Sequence, residues 1–155
     1  MKEIKGDLIS LAKEGEFDII VQGCNCFCTM GKGLAPQIKE TFPGAWKADL
    51  ATIKGDMKKL GNYSYSYEKV KDGKLLVVIN AYTQYRYNKK GEKNLHLDYD
   101  ALTIVLKKIN SVFAGKSIGV PLIGAGLAGG NWARIRITII EQLKDMDVTI
   151  VYYEK

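Results

Sequence analysis

Histidine is almost missing from this chain of 155 residues: His96 is its only one. Cysteine is scarce as well, and all three, Cys24, Cys26 and Cys28, fall within one short segment. An odd count cannot close a disulfide framework and suits a reducing compartment. A zinc site needs four ligands, with two or more residues between paired cysteines, and His96 would have to complete the set from far along the chain. No metal is therefore expected. Long apolar runs are lacking too. The longest aliphatic run, Leu75 to Ile79, is too short to span a bilayer, and Glu3 and Asp7 leave the N-terminus without a signal-peptide core. The expectation is a cytoplasmic protein with no membrane partner. Linkers, repeats and low-complexity tracts are also absent from the sequence.

What is present has a globular balance, with 46% hydrophobic and 26% charged residues, and a length that suits one domain over residues 1–155. Net charge is +6, with Lys58, Lys59, Lys69, Lys71, Lys74, Lys89, Lys90 and Lys93 concentrated mid-chain. Such a field favours anionic ligands, although a solvated lysine face explains it equally well.

Strand and helix signals alternate. Residues 3–5 read as a strand, 8–13 as a short helix and 17–22 as a buried strand. A helix is expected over 33–42, broken by Pro43-Gly44, with a second from Ala45 to about Ile53 that turns Trp46 inward. Tyr63, Tyr65 and Tyr67 alternate with polar residues in the period of a half-buried strand, and Lys71-Asp72-Gly73-Lys74 supplies a turn into the strand 75–80. Leu97, Ala101, Ile104, Val105, Lys108 and Val112 recur at helical intervals and predict one core-facing stripe. A strand over 117–121, a helix over 132–144 with Asn131 as its N-cap, and a strand over 148–153 complete the pattern. It predicts a mixed sheet covered by helices on both faces.

Two glycine-bearing loops each run from a strand into a helix. The first is Gly23-Cys24-Asn25-Cys26-Phe27-Cys28-Thr29-Met30-Gly31-Lys32-Gly33-Leu34, and the second is Pro121-Leu122-Ile123-Gly124-Ala125-Gly126-Leu127-Ala128-Gly129-Gly130. Ligands of α/β sheets bind beyond the carboxyl ends of strands, where helix N-termini offer unpaired N–H groups to anions. The second loop matches the dinucleotide fingerprint at Gly124, Gly126 and Gly129, but only one helix and one strand follow it, too few for a Rossmann site. No Gly-Lys-Ser/Thr makes it a P-loop. Glycines serving only tight turns remain the plain alternative for both loops.

Gly6-Asp7-Leu8, the Asn25 loop running into Met30-Gly31-Lys32-Gly33-Leu34-Ala35, and the late Gly124-Ala125-Gly126-Leu127 loop together resemble the macro domain family over essentially the whole chain. The resemblance implies a three-layer α/β/α domain with a mixed central sheet. It implies a ligand, ADP-ribose or ADP-ribose 1''-phosphate, held by Asp7, Leu8, Gly23, Asn25, Met30, Gly31, Lys32, Gly33, Leu34, Leu122, Ile123, Gly124, Ala125, Gly126, Leu127 and Tyr152. Asp7 would accept a hydrogen bond from the adenine amino group, a role compatible with capping the helix that starts at Leu8. Asn25 would bond the distal ribose hydroxyls and is the one catalytic candidate, while its plain alternative is a turn residue. Tyr152 would lie against the adenine ring, or simply be a strand tyrosine.

The first loop and Trp132 look most like the branch of ADP-ribose 1''-phosphate phosphatases and terminal ADP-ribose glycohydrolases. The glycohydrolases use a lysine with an aspartate after the Gly-x-Gly-Leu run, and here Ala128 stands at that aspartate's place. Phosphate-monoester hydrolysis is the expected reaction, with no cofactor, and the alternatives are a non-catalytic ADP-ribose reader or an ADP-ribosyl glycohydrolase that removes ADP-ribose from a modified molecule. Lys89, Lys90 and Lys93 beside Tyr82, Tyr85, Arg86 and Tyr87 interleave charge with aromatics, but the segment is short and no nucleic-acid partner is expected from it. A monomer is expected.

Overall fold

The computed structural model describes residues 1–154. In chain order the elements are β1 (Lys2–Gly6), α1 (Leu8–Lys13), β2 (Ile19–Cys24), α2 (Ala35–Thr41), α3 (Pro43–Leu50), β3 (Tyr63–Lys69), β4 (Leu75–Tyr82), α4 (Tyr99–Val112), β5 (Ser117–Val120), α5 (Trp132–Gln142) and β6 (Asp147–Tyr153). The strands form one sheet in the order β1-β6-β5-β2-β4-β3. All neighbours run parallel except β3, which pairs antiparallel with β4 across the turn at Asp72 and Gly73.

Strands buried on both faces read as continuous apolar runs, and β2 and β4 do so because helices cover the sheet on each side. Alternate residues divide between two cores. Ile20, Leu76, Val78 and Val151 pack with Leu8, Ile9 and Ala12 of α1, Ile38 of α2 and Ala45 of α3. Ile19, Val21, Val77, Ile79, Ile118, Val120 and Ile150 pack instead with Leu102, Val105, Leu106 and Ile109 of α4 and Ile135 and Ile139 of α5. This is the three-layer α/β/α arrangement with a mixed sheet.

Helix starts follow cap chemistry. Asp7, Asp98 and Asn131 each accept from the backbone N–H three residues on, at 3.1, 2.9 and 3.2 Å, contacts of a kind that contribute about 1 kcal/mol each.

Three details differ from the expectations. Pro43 opens α3 rather than separating it from α2, because a proline at the first helical position forgoes only an N–H that has no partner there anyway. Trp46 is half-buried, with the Lys39 ammonium 4.1 Å from its ring centre. The stripe on α4 is also rotated: Ala101, Leu102, Val105, Leu106 and Ile109 are buried, whereas Ile104, Lys108 and Val112 face outward. The long side chains at 102, 106 and 109 reach the sheet and leave the 104-108-112 row on the helix's outer edge.

Gly119 in β5 tests how tightly the layers close. A β-carbon built there would lie 2.7 Å from the Phe17 ring and 2.8 Å from Leu8. Gly119→Ala is therefore expected to destabilise the protein by about 1–3 kcal/mol through overpacking, read as a lower urea midpoint with an unchanged slope.

Candidate functional site

The site begins where two parallel strands part. β2 and β5 pair only at Ile19–Ile118 and Ile20–Gly119. β5 then ends at Val120, while β2 continues to Cys24 beside β4. The chain leaves β2 towards α2 and α3 on one face, and its path from β5 leads to α5 on the other, so a crevice opens between the two strand ends. Such switch points are where open α/β sheets bind ligands.

The first loop is fixed from beneath. Cys26 is fully buried, its N–H donates to the Tyr85 carbonyl at 3.0 Å, and its carbonyl accepts from the buried Lys59 ammonium at 3.1 Å. The Cys28 thiol donates to the Asp49 carbonyl at 3.3 Å and receives Lys59 Nζ at 3.6 Å, with its backbone in the left-handed region. Behind these, Tyr82 donates to Asp49 at 2.7 Å. Burial raises the Asp49 carboxyl above its ordinary value and pushes the Tyr82 hydroxyl well up. Burial likewise raises the Cys26 thiol to about 11. Cys26 is thus held as a neutral packing group.

The second loop turns on packing. Gly124 has φ +76°, and a β-carbon at Gly130 would sit 2.7 Å from the Gly124 carbonyl oxygen. These two glycines shape the turn. Gly31 and Gly126 are different: a β-carbon on either would meet nothing within 4 Å. They face open space.

That space has two adjoining parts. A chamber of about 340 Å³ is lined by Gly23, Asn25, Thr29, Gly31, Lys32 and Gly33 from the first loop, Leu122, Ile123, Gly124, Gly126, Leu127 and Ala128 from the second, and Gln22, Gln84, Tyr87 and Asn88 between them. A neighbouring chamber of about 560 Å³ is lined by Asp7, Leu8, Gln37, Val151, Tyr152 and Tyr153. Gly33, Leu34, Pro121 and Leu122 border both.

Tyr152 is locked in place. Its hydroxyl donates to Glu3 at 2.8 Å and accepts from the Trp132 indole N–H at 3.3 Å, and its ring meets Trp132 edge-on. Arg136 holds the same Glu3 carboxylate with two bonds, at 2.7 and 2.9 Å. The Arg136 and Tyr152 hydrogen bonds bring the Glu3 carboxyl down to about 2.

Fourteen of the sixteen ligand residues expected from sequence line one chamber or the other. Met30 and Ala125 do not: Met30 is buried with its sulfur against the Gln22 amide, and Ala125 packs on the core. Asp7 lines its chamber while capping α1. Asn25 lines the smaller chamber with its amide already engaged: Nδ2 donates to the Thr29 carbonyl and hydroxyl at 3.1 and 2.9 Å, and Oδ1 accepts from Phe27 N–H at 2.8 Å. It fixes the loop's shape.

Sequence reasoning missed a third contributor, the segment after β4. Asn88 donates to the Leu127 carbonyl at 3.0 Å, contacts His96 Nε2 at 2.9 Å, and offers its own carbonyl to Lys32 Nζ at 3.4 Å. One asparagine thus ties both glycine loops together. His96 stands behind Asn88 and is not part of the chamber wall. Lys32 is the only charged side chain on that wall among the described residues.

Comparison with known proteins gives three findings. The Macro domain family model matches residues 21–139. The 17.5 kDa protein of the tk-vs intergenic region of Enterobacteria phage T4 is 36% identical, over 99% of this chain and 97% of its own length. Among solved structures, the macrodomain of Thermus aquaticus DarG superposes with a TM-score of 0.70 at 22% identity, over 99% of this chain and 97% of that one. Thermosipho africanus DarTG in complex with ADP-ribose gives 0.73 at 17% identity, over 99% of this chain and 42% of the longer one.

The Glu3 clamp yields a pH signature. Its carboxyl is lowered from 4.5 to about 2 on folding, so the clamp's contribution is present above the ordinary value and is lost as pH falls towards the lowered one. Urea titrations at a series of pH values should show wild type more stable than Glu3→Gln near neutrality. The gap should close between pH 4.5 and about 2.

Proposed function

Because the chain belongs to the macro domain family, we propose that it binds ADP-ribose in this cleft and hydrolyses ADP-ribose 1''-phosphate to ADP-ribose and phosphate. The observation that carries the reading is the pair of adjoining chambers, which share Gly33, Leu34, Pro121 and Leu122 in their linings. ADP-ribose has the same layout, with an adenosine and a ribose at opposite ends of a diphosphate. ADP-ribose in the structure of Thermosipho africanus DarTG, which shares the fold, supports the choice of ligand.

In this reading the larger chamber takes the adenosine, with Asp7 accepting from the adenine amino group and the fixed Tyr152 ring beside the base. The diphosphate lies over the open faces of Gly31 and Gly126, where backbone N–H groups of both loops reach it. The distal ribose enters the smaller chamber beside Asn25, and its 1''-phosphate points towards Gln84, Asn88 and Lys32.

Hydrolysis breaks the phosphorus–oxygen bond to the sugar and adds water to phosphorus, leaving ADP-ribose with a free 1''-hydroxyl. Amide side chains and Lys32 can donate to the phosphoryl oxygens as charge develops. None of them removes a proton from water at neutral pH, so a phosphoryl oxygen of the substrate serves as the base. The amide-rich wall also favours a second reading, a reader module that binds without turnover. Ala128, apolar and buried at the position implied for an aspartate, argues against glycosidic hydrolysis.

Calorimetry with ADP-ribose, its 1''-phosphate, ADP and NAD, beside an assay of released phosphate, tests these readings. Tight ADP-ribose binding without phosphate release would leave the reader, and no ADP-ribose binding would end the proposal. Gly126→Val should keep the fold, since its side chain enters open space, yet weaken ADP-ribose by roughly a hundredfold or more by occupying the diphosphate path.

Asp7→Ala should cost about 1 kcal/mol of stability through the lost cap. It should also weaken ADP-ribose by about tenfold or more while leaving ribose 5-phosphate unchanged. Equal losses for both ligands would remove Asp7 from the adenine contact.

A further inference from the structure

β3 forms one edge of the sheet, with β4 between it and β2, and carries a row of three tyrosines. Tyr63, Tyr65 and Tyr67 oppose Ala81, Ile79 and Val77 of β4, so all three rings stand on the α4 side of the sheet. Consecutive ring centres are 6.1 and 5.7 Å apart. Tyr63 is half-buried against the core, but Tyr65 is 46% and Tyr67 62% exposed.

The outward row of α4 borders these rings. Ile104 packs over Gly61, and Lys108 Nζ reaches the Asn62 side chain at 2.5 Å, which places this edge of the helix beside the start of β3. Lys108 is exposed there, and Lys69, two residues beyond Tyr67, continues the row on the same face. The acidic residue of the strand, Glu68, points to the opposite face, where it receives the Ser66 hydroxyl at 3.2 Å and lies against Gly44. The result is an aromatic strip with ammonium groups at both ends.

Charge complementarity selects the occupant. A second copy would bring Lys69 and Lys108 against their own kind, whereas a polyanion gains from both. Planar groups spaced along an anionic backbone match a row of rings flanked by lysines, the combination that binds single strands without reading sequence. We propose that the β3 tyrosine row, with Lys69 and Lys108, is a binding surface for single-stranded nucleic acid, separate from the cleft. Bases stack on Tyr65 and Tyr67 and at the rim of Tyr63, and phosphates meet the lysines. In the segment from Tyr82 to Lys93, Tyr82 is buried and the Arg86 guanidinium lies over Phe27 and Tyr85 at 5.7 and 5.3 Å, so neither Tyr82 nor Tyr85 extends such a row.

Fluorescence anisotropy of a labelled oligothymidylate, titrated across salt, tests the surface. Two phosphate contacts predict a slope of log affinity against log salt of about −1.4. Combining Lys69→Gln with Lys108→Gln should bring it close to zero. Tyr65→Ala and Tyr67→Ala, both at exposed positions, should each weaken binding by roughly ten- to a hundredfold, while the phenylalanine substitutions retain it. Saturating ADP-ribose and Gly126→Val should leave the oligonucleotide affinity unchanged, which separates this surface from the cleft.

Absence of binding at low salt, or binding indifferent to the tyrosine and lysine substitutions, overturns the proposal. Light scattering that finds a dimer dispersed by Tyr67→Ala, without oligonucleotide binding, assigns the strip to a second copy instead. Preference for an acidic peptide over the oligonucleotide at matched charge overturns it as well.

Discussion

The brief pairing of β2 with β5 is the constraint from which the site follows. Had β5 continued beside β2 to Cys24, the sheet would be closed where the crevice now lies. β5 stops after four residues because Pro121 follows Val120, and proline has no N–H to extend the ladder. β2 keeps its order alone by leaning on β4. The two loops that leave these strands are therefore neighbours by topology, whatever their sequences, and the helices that follow them lie on opposite faces. What the sequences add is the ability to leave that space unfilled.

The glycines illustrate how that space is kept. Gly124 and Gly130 are needed by the protein itself, since their neighbours Leu97 and the Gly124 carbonyl would collide with any side chain. Gly31 and Gly126 are needed by nothing in the fold, because a β-carbon would be free of contact at either. Both border the crevice, and theirs are the open faces that the proposed diphosphate would cover. The same distinction applies to Asn25, whose amide is consumed by Thr29 and Phe27. Its role is to hold the wall in shape, a role that loop asparagines perform through local bonds.

The glycine pattern was legible from the sequence because strand-to-helix loops rich in glycine have few purposes. The caps at Asp7 and Asn131 and the buried runs of β2 and β4 were legible for the same local reasons. Asn88 was not. Its importance arises from touching Leu127, His96 and Lys32, residues distant in sequence, and nothing about the run Tyr87-Asn88-Lys89 announces those contacts. The α4 stripe failed differently. Period alone admits several faces on a helix with apolar residues at 102, 104, 105, 106, 109 and 112, and only the sheet decides which of them turn inward. Ile104, Lys108 and Val112 read as core from their spacing, and the sheet left them beside the tyrosines of β3.

The distribution of charge separates capture from retention. The protein carries +6, yet the smaller chamber has a single charged side chain, Lys32, among its described lining. Much of the lysine lies elsewhere, on the exposed segment after β4 and along α4. Those charges act through solvent, over roughly the 8–10 Å that physiological salt allows, and bias the approach of an anion without fixing its pose. Backbone N–H groups act only at contact, in a crevice from which water is partly displaced, where fixed dipoles cost no reorganisation when the anion arrives. In the proposed binding mode a diphosphate would be selected by shape, because both loops would have to meet it at once. A single phosphate would reach one loop only and forfeit the other's donors. That selection would rest on the backbone of the two loops, and the surface lysines could move without altering it.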